Sequence, residues 1–167
     1  MKSNGRRIAF LGLCTSLALI LSYIEALLPP IFTAVPGIKI GLPNIVIIFV
    51  LYRFGAKEAI SVSLVRVAAV AMIFGSPITF AYSASGAILS LLGMILLKKL
   101  QTFSPVGVSV VGSVLHNVGQ ILAAIVLLGT ATLGYYLIVL SITGTIAGIF
   151  IGLCGNFAIQ KIKPPKC

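Results

Sequence analysis

Gly112-Ser-Val-Leu-His-Asn-Val-Gly-Gln-Ile-Leu-Ala-Ala124 lies inside a stretch with no charged residue between Lys99 and Lys161. On a helix, Gly112, His116 and Gln120 follow one another at four-residue steps and share a face, with Asn117 beside them. Apart from Ser113, everything around them in this stretch is Val, Leu, Ile, Ala or Gly. The natural solvent of such a run is the lipid bilayer, where a polar side chain must face protein or a cavity. The whole chain agrees. Only 8% of its 167 residues are charged and 59% are apolar, against about 25% charged in a soluble domain. Its mean hydropathy is +1.20. The expectation is an all-α membrane protein, a six-transmembrane-helix bundle forming a single domain over residues 1–167.

Working outward, the fifth span is expected at about 106–128, and the sixth at about 135–159 carries Gly144, Gly148 and Gly152 every four residues. The fourth, about 78–97, carries Ser83, Gly86, Ser90 and Gly93 at alternating three- and four-residue steps. Both stripes predict close helix packing through small residues. The third span, about 59–74, holds Arg66 near its middle, and the first, about 8–28, is interrupted only by Glu25. Pro29-Pro30 ends the first span, and a Pro- and Gly-rich outside loop follows. The second span, about 43–53, is short: Lys39 and Arg53 enclose only 13 residues. Such a span must tilt little, sit in thinned bilayer, or bury its ends in protein. Pro43 and Asn44 suit its first turn, and Gly55 its end.

Charge sets the orientation. Lys2, Arg6, Arg7, Arg53, Lys57, Lys98, Lys99, Lys161, Lys163 and Lys166 all fall on one side, ten of the twelve basic residues. The positive-inside rule therefore places both termini in the cytoplasm, as expected of a multi-pass cell-membrane protein. It also accounts for the net charge of +10 without nucleic acid, because the cations are spread over four short inner segments. Cys14, Cys154 and Cys167 have no paired spacing and read as apolar fillers and a tail thiol.

Few residues can carry chemistry. Arg66 reads as a structural arginine bonded to helix ends or to Glu25, as a contact for an anionic ligand, or as a side chain snorkelling outward. His116, Asn117 and Gln120 either line a cavity or hydrogen-bond between helices. Glu25 reads as an interfacial carboxylate or arginine partner, or alternatively as a ligand or proton site. Lys39 is either a boundary lysine or a cap over an outward-facing cavity. Glu58 reads as an inner-face residue beside Lys57 with no role. No Walker A loop and no Ser-His-Asp set occurs, and the chain has no Asp. No ATPase, Asp-rich prenyltransferase, metal site or cofactor is therefore expected in this chain.

Pro36-Gly-Ile-Lys-Ile-Gly-Leu-Pro-Asn-Ile-Val46 and Val114-Leu-His-Asn-Val-Gly-Gln-Ile-Leu122 resemble the Gx transporter family, also labelled heptaprenyl diphosphate synthase component I. Leu64-Val-Arg-Val67 and Gly107-Val-Ser-Val110 fit as well, and the resemblance runs over nearly the whole chain. That family looks like the substrate-binding S-components of energy-coupling-factor transporters. The resemblance implies an S-component-like bundle with an outward pocket, docked on a transmembrane coupling subunit with two ATPase subunits. Its ligand would be a small organic solute, anionic or amphiphilic, resembling a vitamin or an isoprenoid or quinone precursor. Lys39, Asn44, Arg66, His116, Asn117, Gln120 and Glu25 would line or cap the pocket. Ala9, Gly12, Ser16 and Ala18 of the first helix would meet the coupling subunit, although the strict Ala-x-x-x-Ala spacing is absent. The alternative implied by the label is a membrane partner or regulatory subunit of a polyprenyl diphosphate synthase. A third possibility is a scaffold in a redox complex.

Overall fold

The computed structural model describes residues 2–27, 41–74 and 77–164. Among them are six α-helices and no strand: α1 (Lys2–Leu27), α2 (Asn44–Arg53), α3 (Ala56–Phe74), α4 (Pro77–Leu100), α5 (Pro105–Leu128) and α6 (Tyr136–Lys161). A 3-10 turn, Ala131–Tyr135, leads into α6. The segments Gly5–Leu27, Pro77–Leu100, Pro105–Leu128 and Ala131–Lys161 are long and apolar enough to cross a membrane. The protein is thus an all-α, multi-pass membrane protein. Residues 28–40, which hold most of the expected outside loop, and residues 75 and 76 lie outside the described residues.

Local chemistry sets the helix ends. Ser104 opens α5 by accepting a hydrogen bond from the Gly107 N–H at 3.3 Å, and Pro105 fills the first turn, where its missing N–H costs nothing. Gly129 closes α5 in the left-handed conformation, its N–H bonded to the Ile125 carbonyl. Helices α2, α4 and α6 end on Arg53, Lys98 with Lys99, and Lys161. Cations there complement the negative ends of the helix dipoles. This draws α4 and α6 beyond their expected limits, out to Leu100 and Lys161.

Helix α5 is the middle of a layer with α4 and α6 on either side. Both small-residue stripes serve it. A Cβ added at Gly93 would sit 2.1 Å from Leu115 Cδ1, and one at Gly148 would sit 2.6 Å from Val110 Cα. Helices α1 and α3 pack on each other, and α3 touches α4. Between these parts lies α2, packed against α1, α3, α5 and α6. Its 10 residues span only about 15 Å, half of a hydrocarbon core of about 30 Å. Val46 to Leu51 are all buried, joined by Cys14, Ala18, Val62 and Met94 in one apolar core. Of the ways a short span can be accommodated, the fold uses burial in protein.

Where the basic side chains gather, they also tie helices together. Arg7 pairs with Glu58 and lies 5.8 Å from the centre of the Phe54 ring. Lys98 Nζ donates to the Leu51 carbonyl, and Arg53 Nη2 donates to the Ile162 carbonyl at 2.9 Å. These donors satisfy carbonyls that helix ends leave without partners. Glu58 therefore differs from its reading as a residue without a role: α1 and α3 begin side by side, and Glu58 links them.

Candidate ligand-binding site

The polar side chains meet where α2 begins. Gly41 precedes it at φ +91°, a conformation that any Cβ would strain. Its carbonyl accepts the Asn44 N–H at 2.9 Å, closing a turn. The N–H groups of Gly41 and Leu42 both donate to Glu25 Oε1, the second at 3.3 Å. Glu25 is buried, so α1 supplies a carboxylate at the positive end of the α2 dipole. The same carboxylate is the charged neighbour felt by the Arg66 guanidinium. Arg66 is buried, and its Nη1 donates to Ser22 Oγ at 3.4 Å. Ser22 in turn donates to the Ala18 carbonyl at 2.8 Å.

On the other side of this turn is α5. A Cβ at Gly41 would lie 3.0 Å from Asn44 Nδ2 and 4.0 Å from His116 Cδ2. His116 and Gln120 share one face, as the four-residue spacing requires. That face meets α4 at Gly86, where an added Cβ would stand 3.0 Å from both His116 Cε1 and Gln120 Cγ. Asn117 is turned elsewhere: its Nδ2 donates to the Leu140 carbonyl of α6 at 2.8 Å, over Gly144. It serves the α5–α6 contact instead of joining His116 and Gln120.

The Gly41 turn thus links Glu25, Asn44 and His116, with Gln120 beside His116 at Gly86; Arg66 is held at Ser22 on the α1 side, and Asn117 goes to the neighbouring seam. Lys39 lies outside the described residues. On α1, Ala9, Gly12 and Ser16 are exposed, whereas Ala18 is fully buried against the core and does not share their face. Beside Gly12, an open cleft of about 370 Å³ runs between α1 and α3. Sequence reasoning missed Ser22, although it sits three residues before Glu25 on the same helix face. It also missed Ser85, whose hydroxyl donates to the Gly119 carbonyl at 2.9 Å, and Gly119 itself. The Gly119-Gln120 pair, a small residue beside a polar one, was the available signal.

The arrangement offers hydrogen bonds more readily than charge. The Glu25 carboxylate is engaged by backbone N–H groups and the Arg66 guanidinium by Ser22. Two buried donors, Asn44 Nδ2 and Arg66 Nε, have no hydrogen-bond partner among the described residues. Buried polar atoms are nearly always paired, so such donors mark a place for a ligand group or water.

A multi-pass α-helical bundle with a polar cluster buried across its two halves is the class these features define. Residues 14–158 match the family described as heptaprenyl diphosphate synthase component I, and the chain belongs to that family. No curated protein and no solved structure matches the chain.

Proposed function

We propose that this protein is the ligand-binding membrane subunit of an importer of the energy-coupling-factor type, and that its buried cluster holds the polar head of a small amphiphile. The single observation carrying this reading is that two buried donors, Asn44 Nδ2 and Arg66 Nε, have no hydrogen-bond partner among the described residues, the first of them at the turn that meets His116. The family description names an isoprenoid product, which supports an isoprenoid or quinone-precursor-like ligand. Catalysis and ATP hydrolysis belong to partner subunits in this reading. Both carboxylates of the chain are engaged, Glu25 by backbone N–H groups and Glu58 by Arg7. The face of Ala9, Gly12 and Ser16, exposed on α1, is available to a coupling subunit.

The family description favours one second reading, a membrane partner that presents lipid to a soluble polyprenyl diphosphate synthase. Purification in mild detergent separates the two. A retained small amphiphile together with co-purified ATPase subunits supports the importer. A co-purified Asp-rich synthase carrying a long polyprenyl lipid supports the second reading. A ligand-free protein with neither partner counts against both.

A further inference from the structure

We infer that the groove between α3 and α4 holds the tail of the ligand whose head occupies the polar cluster, and that this tail is a single isoprenoid chain entering sideways from the bilayer. The inference rests on the ligand-binding reading above. The groove encloses about 500 Å³. Its floor, at Ser63, Val67 and Ala87, is buried, and its rims, at Leu64, Ile88 and Leu92, are exposed. Inside a membrane these rims meet lipid chains, so a hydrocarbon can slip between them without crossing a polar barrier.

Two features favour a ligand tail over a passing lipid chain. The first is position relative to the cluster. Helix α3 turns Arg66 toward Ser22 of α1 and the next residue, Val67, into the groove. Helix α4 sets Gly86 against His116 and the next residue, Ala87, into the groove. Cluster and groove thus run at the same level on both helices. The second is shape. The groove follows α4 from Phe80 to Ile95, roughly 22 Å at 1.5 Å per residue. Ala68, Ala84 and Ala87 line it, and these small side chains leave room for branching methyl groups that a straight acyl chain would not fill. Lipid tails are as apolar as the groove, so transfer from the bilayer provides no hydrophobic gain. Packing of the branches and the tether to the head must supply the selectivity.

Two photoreactive probes test this on the full chain in lipid nanodiscs. One is geranylgeraniol with a diazirine on its last isoprene unit; the other is phosphatidylcholine with a diazirine on one acyl chain. Adducts are mapped by mass spectrometry. The expected result is saturable labelling of the groove by the first probe, displaced by unlabelled geranylgeraniol. Ala84→Phe should lower it about tenfold with the melting temperature held. Leu92→Ala, on the exposed rim, should lower it less, and it serves if the phenylalanine disturbs folding. Non-saturable labelling, or equal labelling by the acyl probe, would mean bulk lipid only and would overturn the inference. The two readings fail separately. Saturable groove labelling unchanged by Asn44→Ala and His116→Ala keeps the groove and removes the cluster as the head site. An Asn44-dependent thermal shift with dimethylallyl alcohol, without saturable groove labelling, removes the groove and keeps the cluster.

Discussion

The layer of α4, α5 and α6 and the half built from α1, α2 and α3 meet one requirement in opposite ways. Between membrane helices there is no hydrophobic driving force, so cohesion comes from close packing and polar bonds. The layer relies on closeness. Gly119 lies so near α4 that a Cβ there would be 2.6 Å from the Ser85 carbonyl oxygen, and Ser85 Oγ bonds back to the Gly119 carbonyl. The other half relies on ties: Arg7 to Glu58, Arg66 to Ser22, and Glu25 to the Gly41 turn. A layer locked by backbone contact is a fixed frame. A half held by charges and hydrogen bonds responds to anything that brings new polar groups. The candidate site falls where the frame meets that responsive half, and both contribute side chains to it.

The sharpest way to break this contrast is Arg66→Ala. It removes the bond to Ser22 and empties a buried side-chain volume, and a loss of about 2–4 kcal/mol is expected, read as unfolding in detergent. Arg66→Met, which refills the volume, should recover part of it. An unchanged stability for the alanine variant would show that the first half is not held by its ties. Next is Gly119→Ala, which forces α4 and α5 apart and should cost about 1–3 kcal/mol in the same assay. A neutral result there would mean the frame has slack.

A smaller effect, with the opposite sign, belongs to the site. Asn44→Ala removes a donor that has no partner among the described residues, so stability should hold or rise by about 1 kcal/mol. Retention of the co-purified amphiphile, followed by native mass spectrometry, should fall. Loss of stability without loss of ligand would make Asn44 purely structural. Smallest is Gly12→Ala on the exposed face of α1. Nothing lies within 4 Å of the added Cβ, and a mid-helix glycine replaced by alanine gains roughly 0.5 kcal/mol. A measured loss would reveal a neighbour on that face.

Periodicity and charge made much of this legible from sequence. Lys and Arg marked the helix ends because they serve there, as Lys98 and Arg53 show, and the glycine stripes of α4 and α6 announced their contacts with α5. The short length of α2 was visible too, but length alone does not separate a thinned bilayer from burial in protein. Arg66 was expected at helix ends, at Glu25 or at a ligand, and the bond the structure gives it goes to Ser22. What could not be read were bonds that depend on a backbone path. The Gly41 turn that holds Glu25 requires a left-handed residue placed opposite a different helix. Asn117 and His116 are adjacent in sequence, yet 100° of helix rotation sends them to α6 and α4.

Because α2 is so short, the insulating layer of this protein has uneven thickness. A molecule held beside Asn44 rests on top of a plug only about 15 Å deep. In the importer reading, completing its passage needs displacement of that plug, a tilt of one brief helix against a stiff wall.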